Sequence, residues 1–274
     1  MYSFLDNNKY VLIYLKSDIS IYTYQSMMKE FTPEDINKII KTQAICRRWL
    51  VYKNNIYTLV KKFKTLKSTF HAVITGYHMI NKAPIKESVW EEINCDIVKN
   101  MCLITDCANG NHASGKDNSF DNINYSNKST KIDGTNISIS SYRLTSVCND
   151  ANNGTPSEIL KEIKKRNSSF DYYSILIRKE KGKGLIEYMW YIIPKDYYVF
   201  NTDKLKPKIG KKGRKTNLIV GWEAKYSDIT FSMSSQLWYK FNIKDVEKYK
   251  VCSTEIDNSK SKIDYSQIFH SFRQ

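Results

Sequence analysis

The chain has 274 residues, 41% of them hydrophobic, and carries 43 Lys and Arg against 28 Asp and Glu, a formal net charge of +15. A chain of this length and composition can bury a sizeable core, which excludes a disordered protein. The N-terminus is charged too early for a secretory signal and no uncharged run approaches membrane-spanning length, so we expect a soluble, cytoplasmic protein with no membrane partner.

The positive charge is concentrated in two blocks. Residues 36–86 contain eleven basic residues and no acid, and residues 204–215 contain seven more, again without an acid. Clustered cations with interleaved aromatic residues are typical of proteins that bind nucleic-acid phosphates. The alternative is a solvated basic face without a ligand.

Six cysteines are scattered along the chain. They are too few for a disulfide framework in a protein of this size, so we expect reduced thiols. Zinc is not predicted, because Cys95, Cys102, Cys107 and His112 lack the tight cysteine pairs of structural zinc sites.

The first clear element is a helix in "TPEDINKIIKTQAICRRWLVYK", with Thr32 as N-cap, Pro33 at the first helical position and Asp35 three residues after the cap. Its second half resembles part of an IQ motif, to which calmodulin-like light chains bind. Gln43 and Arg47 match that motif, but other positions depart from it. We therefore favour a basic amphipathic helix packed on its own domain over a light-chain partner, and assign residues 1–83 to a basic N-terminal region.

From Pro84 onwards the elements follow a specific order. "IKESVWEEINCDIVKNM" predicts a helix whose apolar residues share one face, with Glu87, Glu91 and Glu92 towards the other side. One or two short strands follow, and "NINYSNKSTKI" and "TNISISSYRL" alternate as two further strands. "TPSEILKEIKKRN" predicts a second helix with a capping box, and "YYSILIRK" and "YMWYIIP" predict apolar strands.

This order predicts an α/β fold with an αβββαβ core and a mixed central sheet in residues 85–194. A basic loop and further strands in residues 195–274 complete a domain that spans residues 84–274.

Cleaving a phosphodiester bond requires a divalent metal and a cation that stabilises the developing charge. Two carboxylates at adjacent strand ends can bind the metal, and a Lys two residues beyond one of them can supply the cation. Alternate residues of a strand face the same side, so the ligand and the Lys point to one place. Asp117, at the end of "SGKD", and Ser126 and Lys128, in the next strand, approximate that pattern.

With these residues in this element order, the region from Ile85 to Pro194 resembles the PD-(D/E)XK nucleases. "SGKD", "SNKS" and "ISISSYRLT" resemble more narrowly the type II restriction endonucleases. The resemblance implies that Asp117 binds Mg²⁺ and that Lys128 is catalytic. Ser126 stands where the motif has Asp or Glu, so a second carboxylate is expected from Glu92 or Glu91.

Other assignments of the site remain open. Asp133 and Asp121 are reserve carboxylates, the register can shift to Ser129 and Lys131, and Glu223 and Lys225 in "WEAK" also match the motif letters. A surface hairpin without a metal is the non-catalytic interpretation.

Candidate DNA contacts lie in four places. The strand end "SISSYR" and the turn before Asp117 supply hydrogen-bonding groups, and the two basic blocks supply cations. The candidates are Ser141, Tyr142, Arg143, His112, Lys211, Lys212, Arg214, Lys215, Arg47 and Arg48.

These observations together predict a Mg²⁺-dependent, sequence-specific endonuclease that hydrolyses double-stranded DNA, in the manner of type II restriction enzymes. A homodimer would suit cleavage of a palindrome, by analogy. The alternative is a non-catalytic nucleic-acid-binding protein with a nuclease-like fold.

Overall fold

The computed structural model describes residues 32, 34–35, 37–38, 41–42, 56–99, 101, 104–106, 116–148, 154–211, 217–232 and 235–259. The chain divides into two compact units, residues 1–59 and residues 60–274. The larger unit contains the sheet and the candidate site.

In the smaller unit the predicted start of the first helix is confirmed. The Asp35 amide donates to Thr32 Oγ1 at 3.2 Å, and the Thr32 amide and hydroxyl donate to Asp35 Oδ2. This reciprocal capping satisfies donors that a helix N-terminus leaves free. Gln43 and Arg47, on which the IQ resemblance depends, lie outside the described residues.

Helices and strands of the larger unit are numbered here in chain order. The helices are α1 (Lys67–Ile80), α2 (Glu87–Val98) and α3 (Pro156–Asn167). The strands are β1 (Ile104–Asp106), β2 (Asn118–Phe120), β3 (Ile123–Asp133), β4 (Asn136–Arg143), β5 (Tyr172–Gly182), β6 (Leu185–Pro194), β7 (Lys206–Ile209), β8 (Ile219–Glu223), β9 (Ser227–Thr230), β10 (Gln236–Asn242) and β11 (Lys250–Asp257). Short 3₁₀ helices occupy Tyr198–Phe200 and Ile243–Tyr249.

Helix α1 belongs to the larger unit, although the sequence analysis placed it in the N-terminal region. The reason is burial of its apolar face. Phe70 and Ile74 are fully buried, and the Phe70 ring stacks on Trp190 with the ring centroids 6.1 Å apart. Trp90 of α2 meets the same indole edge to face. The two helices therefore cover one face of the sheet, and Pro84 separates two helices rather than two domains.

Among the described residues, eleven strands form one mixed sheet in the order β11-β6-β5-β3-β4-β10-β9-β8-β7, with β2 on β3 and β1 on β2. β3 and β5 are parallel, and β4 and α3 form the connection between them. The α/β class and the mixed central sheet are thus confirmed.

Long strand β3 is shared by two parts of the sheet. Its first residues pair with β2 and its last two residues pair with β4 on the same side, while residues 125–131 pair with β5 on the other. Residues 126–131 consequently have no strand partner on the β2 and β4 side among the described pairings. We call this interval the β3 gap.

Helix α3 begins as predicted, with Thr155 and Glu158 forming the capping box and Pro156 in the first turn. The Tyr142 hydroxyl donates to Ile163 O at 3.1 Å and to Asn167 Oδ1 at 3.1 Å, which ties β4 to this helix.

Trp222 of β8 and Trp238 of β10 differ in their environments. Trp222 donates its indole N–H to Gly154 O at 3.0 Å, whereas Trp238 is 37% exposed. The expectation of reduced thiols holds for Cys148 and Cys252, which are free and buried. It is wrong for Cys95, which is disulfide-bonded. No helix within the described residues has the length and apolar character needed to cross a membrane.

Candidate active site

Asp117 lies immediately before β2, beside the β3 gap, rather than at the end of a strand. Its amide donates to Tyr125 O at 2.8 Å. Its Oδ2 accepts the Asn127 amide at 2.5 Å and the Ser126 hydroxyl at 3.2 Å, while Oδ1 accepts no hydrogen bond from the described residues. The carboxylate is therefore fixed through one oxygen, and the other is available to a ligand.

Lys128 projects towards the same carboxylate. Its side chain is only 7% exposed, and its Nζ lies 4.0 Å from Asp117 Oδ2 and donates to Glu87 Oε1 at 2.7 Å. A buried ammonium needs acidic partners of this kind, because an unpaired charge in the protein interior is costly. The structure thus brings together Asp117, Ser126 and Lys128, as the sequence predicts.

Glu91 is the third carboxyl at this site. It lies one helical turn after Glu87 on α2 and is only 8% exposed. Its backbone carbonyl accepts the Asn118 side-chain amide at 3.2 Å, whereas its carboxyl accepts no hydrogen bond from the described residues. Burial raises the pKa of Glu91 to about 7, and the nearby carboxylate of Asp117 adds to the effect, while Lys128 opposes it. A nearly buried carboxyl with a raised pKa beside a Lys and an Asp is typical of functional sites.

A buried amide network fixes α2 against β3. Asn94 Nδ2 donates to Asn127 Oδ1 at 2.7 Å and to Ser174 Oγ at 2.9 Å, and all three residues are fully buried. Ser174 Oγ also accepts the Trp190 indole N–H at 3.0 Å. Because Asn127 holds Asp117 through its own amide, the network determines how far the glutamates of α2 stand from Asp117.

Of the two alternative helix carboxylates, Glu91 is the buried one and interacts with Asp117 and Lys128. Glu92 is exposed to solvent, although it was placed with Glu91 on one side of the helix. The physical reason is the helical period: residues four apart share a face, and adjacent residues are separated by about 100°. Glu87 and Glu91 therefore face β3, and Glu92 does not.

The reserve residues do not join the site. Asp121 pairs with Lys62 at 2.5 Å, Asp133 is exposed at the β3–β4 turn, and Lys131 pairs with Glu180. Ser129 instead donates its hydroxyl to Ile85 O at 2.9 Å.

The "WEAK" segment also lies apart from the carboxylate site. Glu223 is exposed opposite Asp228 on β9, and Lys225 Nζ lies 4.8 Å from the centre of the Tyr226 ring. The alternative site in this segment receives no support from these contacts.

The proposed DNA-contacting residues of β4 occupy different environments. Arg143 is exposed at the strand end. Ser141 is half-buried, with its hydroxyl 3.3 Å from the Tyr173 hydroxyl. Tyr142 is buried, and its hydroxyl is used within the protein, so its side chain does not face a ligand.

Of the basic candidates, Lys211 is described and exposed. The remaining candidates lie outside the described residues: His112, Lys212, Arg214, Lys215, Arg47 and Arg48.

The sequence analysis missed the roles of Glu87, Asn94 and Asn127. The spacing of Glu87 and Glu91 and the position of Asn94 within the apolar stripe of α2 are both visible in the sequence. A polar residue at a buried helical position is a sign of a specific hydrogen-bond partner.

The described residues contain no group of three or more His, Cys, Asp or Glu side chains arranged to hold a metal ion. Mg²⁺ often uses only one or two protein carboxylates and completes its shell with water and phosphate oxygens. Asp117 Oδ1 and the Glu91 carboxyl, both without hydrogen-bond donors, fit that requirement.

Comparison with models of known protein families, with curated proteins and with solved structures yields no significant match to the chain.

Proposed function

We propose that the protein is a Mg²⁺-dependent endonuclease that hydrolyses double-stranded DNA, with a core like that of the type II restriction enzymes. The observation that carries the proposal is the meeting of Asp117, Glu91 and Lys128 at the β3 gap. The order α2, β1, β2, β3, β4, α3 and β5 has one short strand more than the αβββαβ core and otherwise supports the same family, as does the parallel pairing of β3 with β5.

In this proposal the carboxyl groups of Asp117 and Glu91 would hold Mg²⁺. The metal would polarise a phosphoryl oxygen and lower the pKa of a bound water. Glu91 must lose its proton to bind, and the attraction of the cation opposes the burial and repulsion that raise its pKa.

Lys128 has two roles in the proposed reaction. Its ammonium, held by Glu87 at 2.7 Å, orients the attacking water and stabilises the negative charge that develops on the phosphate. Ser126 does not replace the missing carboxylate; its hydroxyl donates to Asp117 Oδ2 and helps to fix the metal ligand.

Cleavage of plasmid DNA in Mg²⁺ tests the proposal. We expect Asp117→Asn, Glu91→Gln and Lys128→Met to lose at least about 100-fold in rate, since each removes a charge at the reacting phosphate. Asp117→Asn is preferred to alanine because the amide oxygen still accepts the Asn127 N–H.

Matched controls use neighbouring residues of the same type outside the site: Asp133→Asn, Glu92→Gln and Lys131→Met. These variants are expected to cut as the wild type does. Equal cleavage by wild type and the three site variants would overturn the assignment, because the nuclease would then use other residues.

A second candidate is a nucleic-acid-binding protein without catalysis. Ser126 at the usual ligand position favours it, because a hydroxyl is a weaker ligand than a carboxylate for a hard cation. Salt-dependent binding of duplex DNA without cleavage in Mg²⁺ or Mn²⁺ would establish this candidate and exclude the first.

A further inference from the structure

A group of exposed aliphatic side chains lies at one end of the β7–β8 ribbon. Ile209, Leu218 and Ile219 are 45%, 57% and 46% exposed, respectively. Ile209 and Ile219 are directly opposite each other in the ladder, and the Gly210 amide donates to Leu218 O at 2.9 Å. The three residues therefore lie together at one end of the ribbon, which we call the ribbon tip.

The sequence around the ribbon tip is basic. Positions 211–216, within the nine-residue connection between the two strands, read KKGRKT, and no acid occurs between positions 204 and 215. Lys206 and Lys211 are exposed on the described part of this segment. Exposed apolar side chains with lysines nearby in the chain complement a ligand that has closely spaced anions and an apolar interior, as duplex DNA has between its phosphates.

The ribbon tip lies at the same end of the sheet as Arg143. Strands β4, β10, β9, β8 and β7 are successively antiparallel, and Arg143 is opposite Gln236 at the start of β10. Crossing the sheet from there at the same end, one meets the end of β9, then the start of β8, and then the ribbon tip. Ser141 beside Arg143 contacts Tyr173, whose partner on β3 is Ser126. The carboxylate site, Arg143 and the tip are thus arranged along one edge.

We propose that Ile209, Leu218 and Ile219 insert into a groove of duplex DNA and unstack a base step, bending the DNA, while Lys206 and Lys211 contact the flanking phosphates. Apolar side chains that enter a DNA groove in this way kink the duplex by separating neighbouring bases. The wedge binds DNA whether or not the protein cleaves it.

Only the distance between wedge and cleavage site rests on the proposed function. Five inter-strand steps separate β3 from β7, which corresponds to about 24 Å at the usual strand spacing. At about 3.4 Å per base pair, the unstacked step lies about seven base pairs from the cleaved bond.

DNA bending in EDTA tests the wedge without cleavage, using a duplex with a fluorescence donor and acceptor at its two ends. Wild-type protein is expected to increase energy transfer. The double variant Leu218→Ser with Ile219→Ser should lose at least about half of that increase, because it no longer unstacks the step. The matched control is Ile80→Ser, which changes a 54% exposed isoleucine on α1 and should bend DNA as the wild type does.

Two further measurements complete the test. Lys206→Ala with Lys211→Ala should reduce the slope of log affinity against log salt by roughly 0.9 for each lysine. Unchanged bending by the serine variant would overturn the wedge.

Two other partners would also overturn it. One outcome is tip-dependent binding to vesicles of anionic phospholipid in place of DNA; the other is tip-dependent dimerisation in analytical ultracentrifugation. Normal bending together with uncut plasmid in Mg²⁺ would instead reject the proposed nuclease and leave the wedge standing.

Discussion

Replacing Glu91 by Gln tests the electrostatics of the site through the free energy of unfolding. The pKa of Glu91 rises from 4.5, the value for an unperturbed glutamate, to about 7 in the folded protein. The folded state therefore holds this proton more tightly than the unfolded state does. Stability is lost as the pH rises from 4.5 to about 7, and the loss is constant above that range.

The expected magnitude follows from that interval. At about 1.4 kcal/mol per pH unit, ionised Glu91 lowers the free energy of unfolding by at most about 3 kcal/mol at pH 8. A neutral glutamine of similar shape avoids this loss. Glu91→Gln should therefore be more stable than wild type by up to about 3 kcal/mol at pH 8, and close to wild type at pH 4.5.

Urea denaturation followed by tryptophan fluorescence between pH 4.5 and pH 8.5, in EDTA, measures the difference. Glu92→Gln is the matched control, since its neighbouring carboxyl is exposed. A Glu91→Gln variant no more stable than wild type at pH 8, or equally stabilised at both pH values, would refute the reasoning. Mg²⁺ should stabilise the wild type more than Glu91→Gln if both proposed ligands are required.

Three further changes probe the scaffold. Asn94→Ala should lower the free energy of unfolding, measured by urea denaturation, by about 2 kcal/mol, because the buried Asn127 and Ser174 lose a hydrogen-bond donor. Tyr142→Phe should cost about 1 kcal/mol and leave DNA affinity unchanged, whereas Arg143→Ala should weaken binding and lower the salt slope by roughly 0.9 in fluorescence anisotropy. Thr155→Ala should lower the free energy of unfolding by about 1 kcal/mol, since α3 loses its N-cap, with thermal denaturation as a second measurement.

Local patterns predicted most of the elements of the larger unit. Thr155 and Glu158 marked the start of α3, and alternating residues marked β3 and β4, because caps and period-2 burial act between residues close in sequence. The predicted domain boundary at Pro84 differs from the structure, in which the larger unit begins at residue 60. Burial of Phe70 against Trp190 is a contact between distant residues, and no local pattern specifies it.

The candidate site was predictable in part for the same reason. Asp117, Ser126 and Lys128 belong to one hairpin, so strand geometry was enough to bring them together. Selecting Glu91 over Glu92 depended on how α2 is rotated about its axis, which Asn94 and its distant partner Ser174 determine. A side chain placed by tertiary packing leaves only a weak trace in sequence periodicity.

The β3 gap gives a structural reason for the position of Asp117 that is independent of catalysis. A strand whose neighbours β2 and β4 leave residues 126–131 unpaired has an amide at Asn127 that needs an acceptor. Asp117 Oδ2 supplies it at 2.5 Å. An amide oxygen would satisfy that donor equally well, so the hydrogen bond alone does not require a charge. The fold does not require a charged carboxylate beside the carboxyl of Glu91. Burial raises the pKa of Glu91, and repulsion from Asp117 raises it further. A cation between them would remove that cost, and the proposed metal binding rests on this argument rather than on the architecture of the sheet.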